Sequence, residues 1–360
     1  MMLLDRYLIR QFARNLALVM GSLLAIYLLV DFFERVDNFL SAGLGMGAAI
    51  HYLLLKIPFM FEQLIPICLL LAGIITLGLL NQHYEFMALK ASGLDLWRII
   101  RPLLLAAAFF TLLAMAFSQW LLPPTMAETN RIWHEEVNQI KARGIERQGR
   151  IYYRGAEGIY SFARPAAEGD ETLNDFSYAT WDEEFRLKRL LTASQAQWRD
   201  QTWILFAGQD KSLKDQEYQA VMFNELAIEL PETPADLFLP PYAYTEKSLS
   251  TLLAQAVNRN DTPLRHIARL ELHKKLSYLG LGIPLLLLGI PLLLLMHQGR
   301  GRDLALAIPA SCILAFVAWG GWSVSQSLAT AAYLPPGLAS WLIHFLVGGF
   351  GWYGLKQQDR

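Results

Sequence analysis

Charged residues are few in this chain, and they gather at a small number of places. The stretch "NQHYEFMALKASGLDLWRIIRP", residues 81–102, sets Glu85, Lys90, Asp95, Arg98 and Arg101 between two of the most apolar runs in the sequence. A short helix with such charges is suited to docking on a partner, because ion pairs fix register. The plainer reading is an interfacial helix held by lipid headgroups through Lys90 and Arg98. A second group, Asp31, Glu34, Arg35 and Asp37, ends the first apolar run, with Lys56 and Glu62 near the start of the next. Ionisable groups inside a bilayer are costly unless they face a cavity or a partner. That makes Glu62 a candidate functional residue, whereas Glu34, Arg35 and Asp37 also fit as ordinary helix-end residues at headgroup level.

Self-contained catalysis finds no support. The sequence has no G-x-x-x-x-G-K-[ST] phosphate loop, no H-E-x-x-H, no G-x-S-x-G and no Cys/His spacing suited to a metal. Cys68 and Cys312 both lie in apolar runs, where small buried thiols are the default and a disulfide framework is not expected. A net charge of -1 offers no basic face for nucleic acid.

The elements that must position these residues are membrane spans. With 54% hydrophobic and 18% charged residues, the composition is that of a membrane protein. About 20 apolar residues cross the hydrocarbon layer, and six runs qualify: residues 12–33, 59–80, 99–122, 276–296, 304–329 and 336–355. Pro58 and Pro66 are expected to bend or break the second. Pro123-Pro124 should stop or kink the third, and Pro284 and Pro291 lie in the fourth. Prolines in spans argue for a packed bundle in which neighbours satisfy the freed carbonyls. The first run is too long for a cleavable signal, and no small-residue cleavage site follows it.

Short-loop basic residues set the orientation. With the N-terminus inside, Arg6, Arg10, Arg14, Lys90, Arg98, Arg101, Arg300, Arg302, Lys356 and Arg360 face the cytoplasm, and only Arg35 and Lys56 face out. The insert of residues 123–275 then lies outside. Its segments "RIYYRGAEGIYSFARP", "LNDFSYATWDEEFRLKRLLTASQAQWRDQTWILFAGQ" and "YQAVMFNELAIELP" alternate aromatic and β-branched residues between turn signals, as in a sandwich or jelly roll. Tyr152, Tyr160, Phe162, Trp181, Trp198, Trp203 and Phe206 read first as its core. Helical arms "PTMAETNRIWHEEVNQI" and "TPLRHIARLELHKKLSYLG" should join it to the spans, and "TEKSLSTLLAQAVNRN" opens a short helix with a cap at Thr245.

The motifs "LLDRYLIRQF", "IPFMFEQLIPICLLLAGIITLGLLNQHYEFMALKASGLD", "ASQAQWRDQTWILFAGQ" and "HIARLELHKKLSYLGLGIPLLLLGIPLLL", with "GRGRDLALAI" after them, resemble the LptF/LptG family of lipopolysaccharide-export permeases, in the family's order and over essentially the whole chain. The Leu-Asp-Arg-Tyr opening and Val36-Asp37 are closer to the LptG side. The resemblance implies a bundle of six transmembrane helices with an inserted periplasmic all-β, jelly-roll-like domain. Residues 1–122 would hold spans one to three with a coupling helix at about 82–95, residues 123–275 the β domain with its arms, and residues 276–360 spans four to six.

The same resemblance implies a permease subunit of an ABC transporter in the bacterial inner membrane, multi-pass, with both termini cytoplasmic and no enzymatic activity or bound cofactor of its own. ATP and Mg would be used by a partner, an LptB-like ATPase dimer. The other implied partners are a homologous six-span permease (LptF if this chain is the LptG type), periplasmic LptC- and LptA-like β proteins, and lipopolysaccharide. In the family the coupling helix docks in a groove of the ATPase, which implies coupling roles for Glu85, Lys90, Ala91 and Gly93. It also suggests a rim that grips lipid A phosphates, for which Glu34, Arg35, Lys56, Glu62, Arg131, Arg265, Arg269, Lys274 and Lys275 are the lipid-binding candidates. The family's LptG members commonly carry a lysine-rich end to the first span, where this sequence has Glu34, Arg35 and Asp37. A four-span mechanotransmission permease, a membrane-anchored sensor and an assembly scaffold are the alternatives. The first usually carries its insert after span one, and a sensor would be expected to carry a kinase or HAMP-like segment after the last span.

Overall fold

The computed structural model of the protein describes residues 3–138, 144–147, 150–155, 157–163, 172–182, 184, 186–199, 202–214, 217–237, 246–257, 262–296 and 303–358. The chain divides into two compact units: residues 1–132, 245–253 and 268–360 form one, and residues 133–244 and 254–267 the other.

The first unit is a helix bundle. It contains α1 (Leu3–Ser41), α2 (Met46–Gln82), α3 (Glu85–Ala91), α4 (Leu96–Trp120) and α5 (Leu122–Arg131). Among the described residues six stretches are long and apolar enough to span a membrane: α1, α2, α4, residues 265–295, residues 304–330 and residues 336–358. α1 and α2 have 39 and 37 residues. At 1.5 Å per residue they reach about 58 and about 55 Å, well beyond the roughly 30 Å hydrocarbon layer. The apolar runs therefore mark the middle of each helix, and the polar ends continue it. α2 is the hub, with 72% of its apolar window buried against 17% for α1. It runs unbroken through Pro58 and Pro66. Pro123 and Pro124 fall in the first turn of α5, where a missing N–H leaves no bond unmade, and α4 ends at Trp120 just before them.

The second half of the bundle follows α6 (Pro234–Leu237), α7 (Leu249–Val257) and α8 (Thr262–Gly280), and comprises α9 (Gly282–Leu295), α10 (Asp303–Thr330) and α11 (Pro336–Gln358). α8 and α9 are separated only by Leu281. Close approach between helices depends on glycine at α11: a Cβ on Gly351 would sit 2.7–2.8 Å from the backbone of Leu287 and Leu288. Thr245 lies outside the described residues, and the helix it was expected to cap starts at Leu249. There Ser248 Oγ accepts the N–H of Thr251 at 3.2 Å, so Ser248 is the cap.

The second unit is built on an antiparallel β sheet, as expected; among the described residues it has seven strands, β1 (Gly144–Arg147), β2 (Arg150–Arg154), β3 (Ile159–Ala163), β4 (Thr172–Trp181), β5 (Leu187–Arg199), β6 (Thr202–Lys214) and β7 (Glu217–Ile228), each antiparallel to the next in chain order. Alternation sends one face inward, where Tyr153, Tyr160, Phe162, Phe176 and Trp203 are almost wholly buried. The same alternation corrects part of the expected core. Tyr152, between buried Ile151 and Tyr153, is 40% exposed, and Trp181 at the end of β4 is 41% exposed. Trp203 donates from Nε1 to the Glu232 carbonyl at 2.8 Å, and the Tyr160 hydroxyl donates to the Glu232 carboxylate.

Candidate functional site

Two constellations in the bundle stand out, one at each end of α2. The first is built on α3. Seven residues are too few for a helix to hold itself together in isolation, so its neighbours must fix it. Tyr84 enters the helix with φ of +61° and Gly93 leaves it with φ of +83°. At the exit the Leu94 N–H bonds the Leu89 carbonyl at 3.3 Å, and the Gly93 N–H bonds the Lys90 carbonyl at 3.0 Å. This is the paired closure that a left-handed glycine allows. Phe86 is buried beneath the helix, while Glu85, Lys90, Ala91 and Gly93 are all exposed.

The helix is tied to the start of α1, where the Tyr7 hydroxyl donates to Glu85 Oε2 at 2.9 Å. Arg98 at the start of α4 pairs with Asp5 at 2.9 Å. Lys90 Nζ lies 5.9 Å from the Phe86 ring centre and 3.5 Å from the Gln358 carbonyl, and Trp97 meets Trp352 with ring centres 4.6 Å apart. The beginnings of α1 and α4, the end of α11 and the whole of α3 therefore converge on one end of the bundle. Beside them Tyr7, Arg10, Gln11 and Arg14 line a cleft of about 530 Å³. The outward face of α3 presents Tyr84 (73% exposed) and Met87 (53% exposed) with Ala88 and Ala91, a small apolar surface flanked by Glu85 and Lys90. Large apolar side chains bordered by charge are the composition of a docking patch.

The second constellation lies near the α1–α2 turn. Lys56 Nζ is 2.6 Å from Asp31 Oδ1, and Arg35 Nε is 3.0 Å from the same oxygen. Both cations also stand 5.6 Å from the centre of the Tyr52 ring, which packs on buried Phe39 at 5.3 Å. Asp31 and Lys56 are buried, Arg35 is half-buried, and Glu34 is exposed. Glu62, deeper along α2, is buried and accepts from Ser118 Oγ at 3.1 Å. Lys275 is half-buried and donates to the Lys247 carbonyl at 3.0 Å, and Lys274 pairs with Glu271 at 3.4 Å. Arg131 forks onto Glu128 one turn back at 2.6 and 2.9 Å, which holds the Glu128 carboxyl below its usual range. Arg265 and Arg269 lie a turn apart on α8, half-buried and exposed respectively.

Of the residues singled out from sequence, then, Arg35 and Lys56 come together, but on a shared carboxylate. Arg131 and Lys274 each pair within their own helix, and Lys275 reaches the Lys247 carbonyl. Sequence reasoning placed Asp31 in a cluster without seeing it as the hub. It also missed Tyr7, Tyr52 and Ser118, and the buried contact of Asn15 Nδ2 with Thr76 Oγ1 at 2.9 Å in the middle of the α1–α2 seam. The one signal available was that buried lysine and aspartate in adjacent spans have to find partners.

The comparisons with known proteins agree with this architecture. Over 199 residues the chain is 25% identical to the Lipopolysaccharide export system permease protein LptG of Escherichia coli strain K12, and equally to that of strain CFT073 of serotype O6:H1. That alignment covers 54% of this chain and 52% of each relative, so the chain spans about half the length of the curated relatives it matches. The family model described as Lipopolysaccharide export system permease LptF/LptG matches residues 6–357, from the first turn of α1 to the last of α11 and through both units. A six-span bundle interrupted by a β-sheet unit, matched end to end in this way, makes the chain a member of the LptF/LptG family of lipopolysaccharide export system permeases.

Proposed function

We propose that the chain is a permease subunit that extracts lipopolysaccharide from the bacterial inner membrane and passes it to periplasmic carrier proteins, with the work supplied by a separate cytoplasmic ATPase. The observation that carries this reading is α3. It is a seven-residue helix held between two left-handed residues and pinned to α1, with Tyr84 and Met87 turned outward. A rigid lever that joins α2 to α4 can pass a push from a docked motor to two spans at once. The sequence has no phosphate-binding loop of its own.

In this reading the end of the bundle bearing α3 faces the cytoplasm, consistent with Arg6, Arg10, Arg14, Lys90, Arg98 and Arg101 gathering there. The β unit faces the periplasm. The partners are an LptB-like ATPase dimer, a homologous six-span permease, and LptC- and LptA-like β proteins, with this chain in the LptG place. The Asp31–Lys56–Arg35 cluster sits near the outer rim. Arg35, half-buried and sharing one carboxylate with Lys56, is the group for which a lipid phosphate can compete. Affinity purification from native membranes tests the proposal: a Walker-type ATPase and a second six-span homologue are expected to co-purify. Depletion of the chain is expected to leave lipopolysaccharide in the inner membrane. Recovery of neither partner, with a change in transcription and not in lipid distribution, would point to a sensor.

A further inference from the structure

One cross-strand row of the β unit is polar from β3 to β6 and ends on Met222 of β7. Ser161 stands opposite Ser177, Ser177 opposite Thr192, Thr192 opposite Gln209, and Gln209 opposite Met222. Their neighbours Phe176 and Ala193 are core residues, 1% and 6% exposed, so alternation turns Ser177 and Thr192 away from the core. Ser161 and Ser177 hydroxyls bond each other at 2.8 Å. At the head of the row Arg150 Nη2 donates to Ser161 Oγ at 3.1 Å and to the Asp175 carbonyl at 2.7 Å.

Directly beside this row the pairing skips a residue on each of four strands. It passes from Asn174 to Phe176 on β4, from Ala193 to Gln195 on β5, from Phe206 to Gly208 on β6, and from Phe223 to Glu225 on β7. Asp175, Ser194, Ala207 and Asn224 are left in line across the sheet. Asp175 and Ala207 on that line have φ of +50° and +48°, a backbone region that L side chains rarely occupy. The register is the same on either side of this line, and a cavity of about 610 Å³ lies along it. Among the described residues that line it, only Arg150 and Asp175 carry charge. The rest of its polar surface is hydroxyl and amide, from Ser177, Thr192, Ser194, Gln209 and Asn224, with Phe176 and Phe223 behind.

That chemistry narrows the occupant. For phosphate the site offers one guanidinium, already bonded to Ser161 and to the Asp175 carbonyl, beside a carboxylate that repels an anion, and the centre of a protein interface is richer in exposed aromatic area. Neutral donors and acceptors in a row, one guanidinium, one carboxylate and an apolar floor suit a polyhydroxylated chain. The three strand-to-strand steps from β4 to β7 span about 14 Å, which is longer than a single sugar. We propose that this groove is a carbohydrate-binding site that holds the saccharide part of the exported glycolipid on the outside of the β unit. The inference rests on the export reading above and adds the sugar-binding surface to it.

Titration calorimetry on the full-length chain in detergent tests it, with the acyl-free oligosaccharide released from lipopolysaccharide by mild acid as the probe. Wild type is expected to bind. Thr192→Val and Gln209→Ala each remove hydrogen-bonding capacity from the row and are expected to weaken binding about five- to tenfold. Gln219→Ala, on β7 outside the groove, should bind as wild type does. Both groove substitutions lie off the core, and an unchanged melting profile confirms that each folds. No binding by wild type, or equal binding by both groove variants, would overturn the groove. A photo-reactive residue at Leu29 of α1 separates the two ideas in the same preparation. Capture of intact lipopolysaccharide there without oligosaccharide binding sinks only the groove, and failure of both sinks the export reading with it.

Discussion

Asp31 Oδ1 lies 2.6 Å from Lys56 Nζ and 3.0 Å from Arg35 Nε, so two cations share one buried carboxylate, one on its own helix and one across the α1–α2 seam. The arrangement makes the three residues unequal. Asp31→Asn takes the shared carboxylate charge from two cations, one of them buried, whereas Lys56→Met leaves Asp31 still paired with Arg35. Breaking a buried pair by removing one partner is strongly destabilising, at about 3–5 kcal/mol. Asp31→Asn is expected near the lower end of that range and Lys56→Met at less than half of it. The double variant should be more stable than the sum of the two. Thermal unfolding in detergent reads all three, and strict additivity would show that the pair carries no coupling.

Gly93 has no atom within 4 Å of where a Cβ would stand, yet its φ is +83°. Any effect of Gly93→Ala is therefore backbone strain alone, about 1 kcal/mol. It should fall on α3 and leave the bundle unchanged. Faster amide exchange over residues 85–94 with an unaltered global melt is the expected result, and Gly93→Asn should be milder because asparagine tolerates the left-handed region.

Two glycines on α11 form a matched pair. A Cβ at Gly351 meets the backbone of α9, which no side-chain rearrangement relieves, whereas a Cβ at Gly349 meets nothing within 4 Å. Gly351→Ala should destabilise the bundle by about 1–3 kcal/mol through overpacking. Gly349→Ala should be neutral or slightly stabilising, since alanine favours the helix. Equal melting temperatures for the two would contradict the observed α9–α11 approach.

In the β unit, burial first and then the hydrogen bond to Glu232 push the Tyr160 hydroxyl far above its ordinary range. A raised folded value means stability that is complete below the unfolded tyrosine value, near pH 10, and lost as pH rises above it. Alkaline unfolding of the β unit should therefore be steeper in wild type than in Tyr160→Phe. At neutral pH the variant should be weaker by about 1–3 kcal/mol, because the Glu232 carboxylate loses a buried donor. Near-ultraviolet circular dichroism against pH distinguishes the two slopes.

Much of this architecture was legible before any coordinates. The spans followed from apolar length, because a bilayer imposes one thickness on every helix, and strands β2 to β7 followed from alternation between turns. Helix ends were not legible: residues 3–11 and 34–41 are too polar to register as a span yet continue α1. The exposure of Tyr152 was hidden because a strand's inward phase is fixed by its neighbours and not by the size of one side chain. Pairings were the least visible. Tyr7 with Glu85, Lys56 with Asp31 and Glu62 with Ser118 join residues 78, 25 and 56 positions apart, and composition carries no record of which charge meets which.

The proposed function makes α3 the point where an external motor grips the bundle. The most direct measurement is the amount of Walker-type ATPase that co-purifies with the chain from native membranes when Glu85 is changed to Arg, normalised to the second permease in the same sample. Reversing this charge removes the acceptor for Tyr7 and places a cation on the docking face. The ATPase is expected to fall at least tenfold while the second permease stays, a change of about 1.4 kcal/mol or more in the docking step. Undiminished recovery of the ATPase with Glu85→Arg would contradict the central claim.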